Sequence, residues 1–101
     1  MHVEQERFDI EFERNASTPE VDTALARQFT FYVTNLGEVP FTADLETCVQ
    51  APQWVRDVRL TIAAGDTRAL VAKYYGACAR VSLSAPGAGK AQVSFIGQYF
   101  S

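Results

Sequence analysis

The chain has 101 residues, 48% of them hydrophobic and 21% charged, with a formal net charge of −3. That length fits one domain with its own core, and the balance excludes intrinsic disorder. The nine Lys and Arg are scattered, which argues against nucleic acid and anionic membrane surfaces as partners, since both need a concentrated basic patch.

Met1–Glu6 is polar and charged; it reads as a disordered tail and does not resemble a signal peptide. Arg7–Glu13 alternates cleanly, with Phe8, Ile10 and Phe12 on one side and charged residues on the other. This is a half-buried first strand whose charged face protects an edge. Residues 14–20 read as a polar loop and 22–26 as the lead-in to a second strand, Arg27–Thr34. There Phe29, Phe31 and Val33 alternate with Thr30, Tyr32 and Thr34, the mark of one buried face. Asn35-Leu36-Gly37 supplies turn chemistry.

Phe41–Cys48 alternates again, with Phe41, Ala43 and Leu45 inward. Ala51–Trp54 is a turn, and Val55–Ile62 a strand with an irregularity near Arg56-Asp57. Ala64-Gly65-Asp66-Thr67 is a tight turn. Arg68–Lys73 reads as a strand, Tyr74–Gly76 as a turn or bulge, and Ala77–Ser84 as a strand with Val81 and Leu83 inward. Pro86-Gly87-Ala88-Gly89 reads as a hairpin loop before the last strand, Ala91–Tyr99, where Val93 and Phe95 face inward. Seven short strands separated by turn signals predict an all-β sandwich with little or no helix. The longest apolar runs, such as Ala69–Ala72, are far short of a membrane span.

Two cysteines, Cys48 and Cys78, leave two readings: one disulfide, or two unpaired buried thiols. The even number in a small β-rich chain favours the disulfide. Both fall on the outward register of their strands, which predicts a staple at a strand end or on the outer face.

Phe31-Tyr32-Val33-Thr34-Asn35-Leu36-Gly37, then Val39-Pro40-Phe41, then Ala51-Pro52-Gln53-Trp54, then Leu60–Arg68 resemble the immunoglobulin-like modules of prokaryotic surface proteins. The CARDB-type and NEW-type domains are the types in view, and the soluble domains of archaeal surface filaments are also similar. The resemblance implies that residues 1–101 are a single immunoglobulin-like domain used for display, spacing or adhesion, with no catalytic residues to carry over.

The residues themselves show no catalytic apparatus. A nucleophile needs a base, and the one histidine, His2, sits at the terminus. Two cysteines and one histidine do not make a zinc site, and no cofactor is implied. Asp9, Glu11 and Glu13, like Asp44 and Glu46, share strand faces; acid–base work or calcium is the sharp reading, a solvated face the plain one. Trp54, Tyr74 and Tyr75 are the candidate ligand contacts, as a sugar-stacking platform, against a core-rim role for Trp54. Asn15-Ala16-Ser17 matches the glycosylation sequon.

The expectation is therefore a non-catalytic structural, adhesive or assembly module, extracellular or at the cell surface. It acts through a protein contact on an edge strand or a sheet face, with Phe8, Ile10, Phe12, Val93 and Phe95 on the candidate edge strands. Self-association or a protein partner is expected, without membrane insertion by this segment. The alternative is a carbohydrate-binding accessory module of a secreted hydrolase, in which a glycan is the partner. A disulfide also implies that an export signal or anchor belongs to the full protein.

Overall fold

Alternation of apolar and polar residues dictates an architecture of stacked pleats. The computed structural model describes residues 1–100, which hold seven strands and no helix. They are β1 (His2–Ser17), β2 (Val21–Asp22), β3 (Ala26–Asn35), β4 (Phe41–Cys48), β5 (Trp54–Ile62), β6 (Thr67–Val71) and β7 (Cys78–Tyr99). All pairings are antiparallel. They form one hydrogen-bonded sheet in the order β5-β4-β7-β3-β6, with β1 and β2 branching from β7.

Folded on itself, this sheet makes the all-β sandwich. One layer is β6-β3-β7-β1, built on residues 91–99 of β7. The other is β5-β4-β7, built on residues 78–84, with β2 and the end of β1 alongside. Phe29, Phe31 and Val33 of β3 are buried between the layers with Phe41, Ala43 and Leu45 of β4 and Val81, Leu83, Val93 and Phe95 of β7. The Phe31 and Phe95 rings lie 5.1 Å apart in a tilted pair. Truncating one such ring to alanine costs about 3–5 kcal/mol.

Seven strands are present, but not the seven that local signals mark out. Residues 86–89 are not a hairpin loop: β7 runs unbroken through them for 22 residues. The segment instead bends β7 from one layer to the other through a bulge of its own: residues 85–87 of β7 span the step that Arg14 alone makes in β1. Arg14 takes a left-handed φ of 69° at that bulge, and Pro86, which has no N–H, is tolerated at such an interruption of the ladder. Gly89 is opposite Phe12, and a Cβ there would strike the Phe12 ring. The glycine makes room for a side chain and does not turn the chain.

β1 is likewise longer than expected. His2–Glu6, read as a tail, pair with residues 95–99 of β7, and Asn15–Ser17, read as loop, pair with residues 82–84. Backbone pairing to a long neighbour holds these polar residues extended without any apolar periodicity of their own. The irregularity near Arg56-Asp57 is a bulge: Leu45 faces Val58 and Glu46 faces Arg56, so Asp57 is skipped. The Asp57 carboxylate accepts hydrogen bonds from the backbone N–H groups of Lys73 (2.7 Å) and Tyr74 (3.0 Å), tying β5 to the segment after β6.

Asn35 does more than begin a turn. It is fully buried. Its amide donates to the carbonyls of Val39 (2.8 Å) and Ile62 (3.0 Å), and its side-chain oxygen accepts from Gly37 N–H (2.9 Å). Its own N–H and C=O bond Asp66 and Gly65, where Gly65 takes φ 82°. One side chain thus satisfies three backbone groups at the place where the two layers are joined. Asn35→Ala leaves those groups unpaired in the interior; the expected loss is about 3 kcal/mol of unfolding free energy in urea titrations.

Candidate functional site

The cysteines mark one end of the β5-β4-β7 layer. Cys48 closes β4, Cys78 opens β7, and the two are direct cross-strand partners joined by a disulfide with a Cα–Cα distance of 5.2 Å. The bridge is a strand-end staple. Cys48 is on the outward parity yet buried, because the chain around Gly76 lies over it, so close that a Cβ at 76 would sit 2.6 Å from the Cys48 carbonyl oxygen.

Trp54 is the cross-strand neighbour of Cys48. The Arg80 guanidinium sits 4.1 Å from the centre of its ring, a cation–π contact. Arg80 Nε also donates to Glu46 Oε1 at 2.9 Å, and the Ser82 hydroxyl donates to the same oxygen. One strand position further, Arg59 holds Asp44 through two hydrogen bonds of 2.7 and 2.9 Å. The two carboxylates singled out on this face are thereby engaged by arginines. Both carboxylates are satisfied within the face, while Arg56, across from Glu46, is in no ion pair among the described residues.

The three aromatic candidates do not form a platform. Trp54 is taken up by Arg80, while Tyr75 packs edge-on against Phe29, with centroids 5.8 Å apart. Tyr74 is exposed, and its backbone is held by Asp57. His2 lies in β1, stacked on Tyr99 at 5.6 Å and 3.6 Å from Glu4. Among the described residues, no group of three or more His, Cys, Asp or Glu is arranged to hold a metal ion. No helix of the described residues is long and apolar enough to cross a membrane. Asn15, the sequon residue, is exposed in β1 opposite Ser84.

The candidate edge residues divide. Val93 and Phe95 are not on an edge: β7 is flanked by β1 on one side and β3 on the other, and both side chains are buried. Phe8, Ile10 and Phe12 do lie on an edge strand, since β1 pairs with β7 alone. Their rings and methyls are half-buried against the core. The backbone of β1 away from β7 is the open edge. β5 and β6 are the edges at the other side of the two layers.

Sequence reading passed over charges on these edges that share parity with core residues. Glu4 and Glu6 fall in register with Phe8, Ile10 and Phe12, and Arg68 with Leu70. A charge interrupting an apolar alternation is the signal that finds them. The outer face of the β6-β3-β7-β1 layer contrasts with the opposite one: its middle is uncharged, showing Thr30, Tyr32, Ala69, Val71, Ser94 and Ile96, and the one charged residue of β3, Arg27, is exposed at the bulge near the start of that strand.

Tyr99 closes the seam beside β1. It is buried, and its hydroxyl donates to the Asp22 carbonyl at 2.7 Å. Burial, with the nearby charges of Glu4, Asp22 and Glu6, pushes its pKa from 10.0 up to about 12.

These features define a small disulfide-stapled β-sandwich with open edges. The chain belongs to the family described as Domain of unknown function (DUF6385), whose model matches residues 22–99. That family stands in place of the CARDB-type and NEW-type modules that the turn motifs resemble. Among curated proteins, no sequence matches the chain. Solved structures that share its fold include the following two. The crystal structure of PirA is 17% identical with a TM-score of 0.64, over 91% of this chain and 93% of that one. A structure of Bacillus endospore appendages, described as a novel family of disulfide-linked pili, is 11% identical with a TM-score of 0.55, over 97% and 89%.

Two outcomes follow from this geometry. Cys48 and Cys78 close a loop with a sequence separation of 30, so Cys48→Ser with Cys78→Ser lowers unfolding free energy by about 3–4 kcal/mol in denaturant titrations. The neutral Tyr99 phenol is favoured by the fold, so its stabilisation is complete below pH 10.0 and lost as pH rises through about 12. Thermal midpoints measured across that window fall, and Tyr99→Phe flattens the fall.

Proposed function

We propose that this chain is a non-catalytic structural module that works outside the cell by assembling with other protein molecules, its own copies first among them. The observation that carries the reading is the open edge of β1. It runs the length of the sandwich, and its backbone groups on that side have no strand beside them. Such an edge is a template for an added strand, in which main-chain hydrogen bonds supply affinity and alternate side chains supply selectivity.

The disulfide supports an oxidising compartment. The shared fold with the Bacillus appendage structure supports a role in a surface assembly. The carboxylates on the charged face are engaged by arginines, which favours a structural use of that face over acid–base chemistry. Both cysteines are consumed within the chain, so assembly through this segment is non-covalent.

The test is light scattering with negative-stain electron microscopy on the oxidised chain at rising concentration. Concentration-dependent, elongated particles are the expected result. A monomer at every concentration up to the millimolar range overturns the reading.

A further inference from the structure

The two sides of the sandwich carry opposite charge. Between residues 2 and 13, β1 has five acids, Glu4, Glu6, Asp9, Glu11 and Glu13, against the bases His2 and Arg7. The opposite side shows Arg56 on β5, Arg68 on β6 and Lys73 just beyond, against the acids Asp57 on β5 and Asp66 just before β6; none of these three bases is in an ion pair among the described residues. Two β1 edges meeting each other would bring acids against acids, and two β6 edges Arg68 against Arg68; like charges directly opposite oppose pairing. Unlike edges attract.

We infer that β1 of one copy adds to β6 of the next, joining copies head to tail into a continuous sheet. This rests on the assembly reading above and names its partner and register. Strand direction permits it: the layer β6-β3-β7-β1 is antiparallel throughout, so its two edge strands run in opposite senses. A copy displaced sideways without inversion therefore presents β1 antiparallel to the neighbour's β6. The second layer joins in the same sense, with the end of β1 towards the neighbour's β5.

Side-chain parity selects the register. With Glu6 opposite Arg68, both on the inward parity, Gln5 faces Ala69 and Val3 faces Val71. Val3 and Val71 are 55% and 58% exposed in the single chain; the joint covers them with each other. A shift of two residues in one direction sets Glu6 against Asp66, and in the other sets Arg68 against Phe8. A head-to-tail contact of this kind leaves an unlike edge free at each end of the pair, and it extends into filaments where the rotation between copies does not close a ring.

The test uses Glu6→Arg and Arg68→Glu, both at exposed positions, with circular dichroism confirming the fold, and reads self-association by sedimentation velocity. Each variant alone weakens association by ~tenfold or more. An equal mixture of the two restores it, because each then supplies the edge the other needs, and the double variant also assembles. High salt weakens the wild-type contact. Wild-type association that neither substitution alters, or a mixture that stays as weak as its components, overturns this pairing and leaves the assembly reading standing. A wild-type chain that never associates overturns both.

Discussion

The whole sandwich depends on one strand serving two layers. β7 pairs with β1, β2, β3 and β4, and no other strand has more than two partners. A continuous strand cannot lie in two stacked layers without a bend, and the bend must cost little in lost ladder bonds. The bulge at residues 85–87, with Pro86 inside it, and the left-handed Arg14 facing it meet that need together. Most of the pairings so formed join residues far apart in the chain, His2 with Tyr99 being the extreme. Such topologies order slowly because loop entropy is lost before the contacts form. The Cys48–Cys78 staple sits where β4 and β7 first meet, so it removes part of that entropy from the unfolded chain.

Chemistry is distributed over the surface by the same geometry. On the β5-β4-β7 face, opposite charges are cross-strand neighbours and neutralise one another, as Arg59 does Asp44 and Arg80 does Glu46. On the β6-β3-β7 face there is little charge to satisfy. Glu6 on β1 and Arg68 on β6 are in no ion pair among the described residues, and both stand on edges, where the proposed contact would read their sign. A sheet protein that must avoid random aggregation and still meet a chosen neighbour has few other places to put that information.

The buried faces of β3 and β4 were legible because alternation over eight or more residues has one physical cause, a pleat half in and half out of water. The bulge at Asp57 was legible for the converse reason, a break in that rhythm. The continuity of β7 was not, because Pro86-Gly87-Ala88-Gly89 has the same composition in a turn and in a bend between layers. Met1–Glu6 gave no apolar rhythm, since the pairing that holds it comes from a strand ninety-odd residues away. The same non-local origin hid which strands are edges. Val93 and Phe95 look like Phe8 and Ile10 in sequence, and only the neighbours supplied by the fold separate them. The parity of Cys48 was read correctly, yet its burial was not, because the cover comes from the loop at Gly76.

The register between β1 and β7 sets His2 beside Tyr99. Polypeptide attached at either end of these strands therefore emerges from one corner of the sandwich, on the side away from β5 and β6. A lattice of such units would carry every appendage on a single flank, like bristles on a brush.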